Sequence, residues 1–247
     1  MFKRIPLLLS FFALVLSGCD ALEVGLNAER VRGSGKLIQE KRDVHNINHV
    51  KLASVGELNI RQSDQESLTV EAEDNILPRI RTDVEGGTLV IRTERGVSIS
   101  PTLPIRYTLL VKALAQLELS GSGKIRTTPI QSQDFKVRLP GSGEIRLDDL
   151  TANTLTAEIS GSGNISVPGK VESQSIRISG SGDYDGHNLH SRSAEVSISG
   201  SGGLTVWVQD DLSVHISGSG HVDYYGSPKI SKHVSGSGGV QNKGDHP

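Results

Sequence analysis

The triplet Gly-Ser-Gly recurs with its first glycine at Gly121, Gly141, Gly161, Gly180, Gly200, Gly218 and Gly236. The intervals are 20, 20, 19, 20, 18 and 18 residues. A near-fixed period of this length admits few architectures. Each repeat is one small unit that buries its apolar face only by stacking on its neighbours. One further copy, Gly33-Ser34-Gly35, stands out of phase near the start.

Aligning the copies exposes columns. Two positions before the first glycine stand Leu119, Leu139, Ile159, Ile178, Ile198, Ile216 and Val234. Four before stand Leu117, Val137, Ala157, Ile176, Val196 and Val214, until Lys232 breaks the series. Four after stand Ile125, Ile145, Ile165, Tyr184, Leu204, Val222 and Val240. Apolar residues at every second position specify strands with one buried face, and 28 glycines oppose helices. The class is all-β. Coils of 18–20 residues, marked by Ser-Gly-Ser-Gly corners, suit a parallel, single-stranded β-solenoid. Seven such coils would extend roughly 30 Å at the inter-strand spacing. A β-propeller needs about 40 residues per blade. A sandwich of antiparallel hairpins is the other rival.

The outward column decides between them. Three positions before the glycine stand Glu118, Arg138, Glu158 and Arg177, then Ser197, His215 and His233. Alternating charge is useful only if copies stack in register, where each opposite pair is favourable by roughly 0.2–1 kcal/mol. Lys124 and Glu144 repeat this logic, whereas Arg126 and Arg146 do not. Lys232 in an inward column reads as the last coil loosening into a cap.

The start of the chain sets the compartment. Lys3 and Arg4 precede the apolar run "IPLLLSFFALVLSG", which is short for a membrane span. "LSGC" then resembles a bacterial lipobox. That resemblance implies a lipoprotein signal peptide at 1–18 and lipidation of Cys19, the chain's one cysteine. The expected location is the bacterial cell envelope, membrane-anchored by lipid, with the domain outside the cytoplasm in the periplasm or at the surface. Residues 19–43 would be the lipidated cysteine and a polar tether or opening cap. Residues 44–240 would be the solenoid, irregular over 44–110 and regular over 111–240, with a tail at 241–247. A net charge of −2 gives no footprint for nucleic acid.

The chemistry-bearing residues mostly read as structure. A hydrolase nucleophile needs Gly-x-Ser-x-Gly at a strand-to-helix turn; here glycines adjoin the serine in every copy, so turn freedom of glycine explains them. "GSGK" at Gly33–Lys36 and Gly121–Lys124 lacks the spacing and the following Ser/Thr of a phosphate loop. His187 and His190, or His215 and His233 with His221 nearby, lack ligands to complete a metal set. Asp148-Asp149 and Asp210-Asp211 fit turns better than paired acids. No catalytic residue, metal or cofactor is expected. Trp207, His221, Tyr224 and Tyr225, in the last coils, form the candidate binding surface for a protein or a glycan, or else cover the solenoid's end.

The stretch "INHVKLASVGELNIRQSDQESLTVEAEDNILPRIRTDVEGGTLVIRTE", with Gly56-Glu57-Leu58-Asn59 and the entry "LAQLELSGSGKI", resembles the bacterial head GIN domain family, candidate adhesins of unknown function, over about residues 44–240. The resemblance implies a right-handed β-helix on exported, often lipid-anchored proteins and carries no catalytic residues. The autotransporter label attached to that family finds no matching block of amphipathic ten-residue strands. The expected function is non-enzymatic adhesion, scaffolding or protein binding from the envelope, with glycan binding or processing as the alternative.

Overall fold

A computed structural model describes residues 28–246; Cys19 and the expected signal segment 1–18 lie outside the described residues. The fold is all-β, with one short 3-10 turn at Leu77–Arg79 and no α-helix among the described residues. The chain winds as a β-solenoid with coils about 20 residues apart.

A long face stacks His49–Ala53, Gln116–Leu119 and Asp134–Leu139, then the later halves of Leu150–Ile159, Gly169–Ile178, Asp183–Ile198 and Gly203–Ser217, and finally Lys229–Ser235. A second face stacks Glu57–Gln62, Lys124–Thr127, Glu144–Leu147 and Asn164–Ser166. It continues through the first halves of the two long strands to His221–Tyr225 and Gly239–Asn242. A short third face begins at Ile130–Gln131 and joins the second back to the long one. Every one of these pairings is parallel, and all but one keep the register of the glycine triplets, for example Leu117↔Val137 and Val137↔Ala157; Asp183–Ile198 shifts against Gly203–Ser217 between Gly186 and His190 and between Ser191 and Ser193.

The aliphatic columns form the interior. Leu119, Leu139, Ile159, Ile178, Ile198 and Ile216 are buried, as are Ile125, Ile145, Ile165, Tyr184, Leu204 and Val222. Each fully buried side chain of this size contributes about 1.5–3 kcal/mol, so the solenoid is held by its ladders rather than by one central cluster. A polar chain crosses this interior. The Tyr184 hydroxyl donates to Gln174 Oε1 (3.0 Å), Gln174 Nε2 donates to Ser191 Oγ (2.8 Å), and that hydroxyl donates to the Trp207 carbonyl (3.0 Å). Satisfied in this way, the polar atoms cost little, and burial pushes the Tyr184 phenol far above its ordinary range.

The first third departs from parallel coiling. Ser67–Glu73 runs antiparallel to both Leu37–Arg42 and Arg106–Val111, and Ile80–Glu85 folds back on Thr88–Thr93 as a hairpin through Gly86-Gly87. Glu29–Arg32 pairs separately with Val97–Ser100. Apart from the out-of-phase Gly33-Ser34-Gly35 between Glu29–Arg32 and Leu37–Arg42, these strands lack the Gly-Ser-Gly corner that carries the chain from one face to the next, and a short turn such as Gly86-Gly87 returns it antiparallel.

Lys232 requires a correction. The last coil does not loosen: Lys229–Ser235 keeps register, with Val214↔Lys232 and Ile216↔Val234. Lys232 is exposed because, among the described residues, no strand pairs on that side, and Ile230 and Val234 are 36% and 39% exposed for the same reason.

Candidate binding surface

The corners explain the glycines by contact, not by conformation. A Cβ on Gly141 would lie 2.2 Å from the Gly121 carbonyl oxygen, and one on Gly161 would lie 1.9 Å from that of Gly141. Gly180 and Gly200 meet the preceding corner at 2.1 and 2.0 Å. Among the in-phase triplets the left-handed conformation occurs only at Gly218 and Gly236, and Gly35 of the out-of-phase copy shares it. Turn freedom therefore explains few of these glycines; coil-to-coil approach explains them. Between the glycines, Ser122, Ser142, Ser162, Ser181, Ser201 and Ser219 are exposed, and none of their hydroxyls is engaged by the described residues.

The out-of-phase triplet has another task. Glu73 is fully buried. Gly35 N–H donates to its Oε1 (2.7 Å), while the Thr102 hydroxyl (2.5 Å) and backbone N–H (2.9 Å) donate to its two oxygens. Burial opposes the charge, but these donors outweigh it and hold the carboxyl below its ordinary value. Ser34 reaches Asp74 and Asn75 alongside. A Cβ on Gly33 would strike the Glu73 carboxylate at 1.9 Å.

On the long face the outward charges meet as spaced. Glu118 pairs with Lys51 (2.7 Å) and Arg138 (3.3 Å), and Arg138 also pairs with Glu158 (3.0 Å). Lys136, on the neighbouring outward column, takes the other oxygen of Glu158 at 2.8 Å. Lys136 and then Arg138 hold the Glu158 carboxyl below its ordinary range against partial burial. Arg177 stands in register beside Glu158 without an ion pair. Further along this face, Thr154, Thr156, Ser173, Ser175, Ser193 and Ser213 line a groove of about 350 Å³. Asp210 pairs with Arg192 at 2.9 Å beside it.

The histidines scatter. His187 Nδ1 contacts Asp185 at 2.5 Å and its Nε2 faces the Asn188 amide at 2.7 Å. His190 turns instead to Trp207. His215 and His233 stack at 4.7 Å, and among the described residues no three potential metal ligands converge.

The four candidate surface residues separate into groups. Trp207 and Tyr225 face outward in register on adjacent coils. Tyr224 points inward and packs against the core. His221 faces outward at the other end of its strand, beside Gly203, where a Cβ would meet its ring at 2.5 Å. Two residues join Trp207 that spacing did not single out for this surface. His190 meets it edge-on (4.7 Å, 78°), and His246 stacks on it (3.9 Å, 13°).

The protein family described as "Putative auto-transporter adhesin, head GIN domain" matches residues 46–228. Among solved structures, a putative adhesin from Bacteroides fragilis is 23% identical with a TM-score of 0.82, covering 86% of this chain and 99% of its own. A putative lipid binding protein from Parabacteroides distasonis is 26% identical with a TM-score of 0.75, covering 87% and 99%. A putative adhesin from Parabacteroides merdae is 22% identical with a TM-score of 0.68, covering 87% and 99%. Among curated proteins none matches. With most of its length matched, glycine corners and irregular opening coils included, the chain belongs to the head GIN domain family.

Proposed function

We propose that the protein is a non-enzymatic lipoprotein of the bacterial cell envelope, anchored through Cys19, that presents its solenoid for adhesion, scaffolding or protein binding. The observation that carries this reading is the corner. Exposed serine hydroxyls unengaged by the described residues repeat once per coil on a backbone whose stacking leaves no room for a Cβ. Such a rod offers a stiff, regularly spaced polar edge to an extended partner, which accords with its family's description, "Putative auto-transporter adhesin, head GIN domain". Lipidation of Cys19 would hold it outside the cytoplasm.

The reading is tested in two steps. Wild-type chain should fractionate with membranes and incorporate labelled fatty acid, and Cys19→Ala should do neither; equal labelling of the variant would overturn the anchor. Cells displaying the chain should adhere to a coated surface better than cells lacking it. Release of cleaved glycan by the purified chain would overturn the non-enzymatic assignment.

A further inference from the structure

Trp207 is the chain's single tryptophan. It stands outward between buried Val206 and Val208, with Tyr225 in register on the next coil. The face of its indole is covered by the His246 imidazole at 3.9 Å and 13°. Tyr225 closes on that imidazole edge-on, with centroids 5.6 Å apart. A flat ring thus lies in a slot walled by one indole and one phenol, with His190 behind the indole.

Residues 242–246 deliver that ring. Lys243 N–H donates to the Tyr224 carbonyl and Gly226 N–H to the Gly244 carbonyl, both at 2.9 Å. Asn242 braces the bend through Gly226 and Gly244, and Lys243 Nζ lies 3.7 Å from Asp223. The segment after Asn242 adds no strand to the solenoid. Its contacts named above join it to the slot and its rim.

We propose that this slot is a binding site for the face of a pyranose ring in an uncharged glycan, and that His246 is its built-in occupant. An indole has an electron-rich face, and a pyranose offers a flat, weakly positive C–H face that stacks at the same van der Waals separation as an imidazole. The rim supplies the polar half of the match. Lifting residues 243–246 unpairs Asp223 and frees Asn242 Oδ1 and the Gly226 N–H, leaving acceptors and a donor at the rim for ring hydroxyls. The same movement withdraws Lys243 and leaves Asp223 unopposed, which disfavours phosphorylated or otherwise anionic ligands. The site deepens the adhesion reading by naming a ligand class, and rests on that reading for its biological use.

The test uses the full chain in a detergent without a sugar headgroup, because Trp207 emission then reports on this site alone. The probes are uncharged oligosaccharides of glucose, galactose, mannose and N-acetylglucosamine. At least one series should change the emission saturably. His246→Ala should lower the apparent Kd about 3-fold or more, since a competing occupant reduces affinity in proportion to the open fraction. By calorimetry, Trp207→Ala should abolish binding and Trp207→Phe should retain part of it. No binding of any series by His246→Ala would overturn the proposal, as would equal binding by Trp207→Ala or preference for tetramethylammonium over every sugar. Sugar uptake by the purified chain without any adhesion of displaying cells would overturn the adhesion reading and leave the slot standing. Adhesion with a sugar-blind slot would do the reverse.

Discussion

One added methyl group separates a stacking corner from a broken one. A Cβ at Gly161 would sit 1.9 Å from a backbone oxygen that cannot swing away, so Gly161→Ala should destabilise the fold by about 1–3 kcal/mol in chemical denaturation. Gly239→Ala, with nothing within 4 Å, should stay within about 0.5 kcal/mol of wild type. The sequence marked these glycines but not their reason, because a turn that needs left-handed backbone and a corner that needs close approach select the same residue. Glu73 was less legible still, for its partners come from Gly35 and Thr102, distant in sequence and outside any period. Its carboxyl is held below the ordinary value of 4.5. The unfolded chain therefore binds the proton more readily, so this group's stabilisation is complete above that value and is lost as pH falls below it. Glu73→Gln should flatten the acid limb of a Tm-versus-pH profile and lower Tm at neutral pH.

At the level of elements, the outward column of the long face and the last strand make opposite uses of charge. Arg138 lies between Glu118 and Glu158, and Arg138→Glu would set like charges side by side on three successive strands. A loss of about 1–2 kcal/mol is expected, shrinking in high salt because the groups are half-exposed. The alternation was visible once the glycines gave the register. Lys136 was not, since its reach to Glu158 depends on a side chain leaning across to the neighbouring column. Among the described residues Lys229–Ser235 has one unpaired edge, and Lys232 sits on it between Ile230 and Val234. An inward-facing lysine on a free edge discourages another strand from adding there. Lys232→Val would complete an apolar row, and sedimentation should then show concentration-dependent association that wild type lacks. The aromatic slot was half-legible. Trp207 and Tyr225 each stand seven residues after their glycine and align by counting. His190 stands ten after Gly180, and the register shift between Gly186 and His190 hides its match to Trp207.

For the whole molecule, each coil touches only its neighbours, so stability is close to a sum of coil and interface terms. Hydrogen exchange should then be graded along the axis: amides of Lys229–Asn242 exchange soonest, and those of Leu150–Ile178, paired on both sides, last. Uniform protection would contradict this. The regular two-thirds of the fold could be read from one period, because a solenoid writes its register into the sequence. The opening third could not, because its antiparallel returns come from turns such as Gly86-Gly87 that carry no period. The alternation of Glu118, Arg138, Glu158 and Arg177 gives this rod a parity. Excising residues 141–160 would keep every aliphatic column continuous yet bring Arg138 against Arg177, whereas excising 121–160 would bring Glu118 against Arg177. A ruler that can be shortened or copied by even numbers of its divisions, but not by odd ones, would change length in double steps.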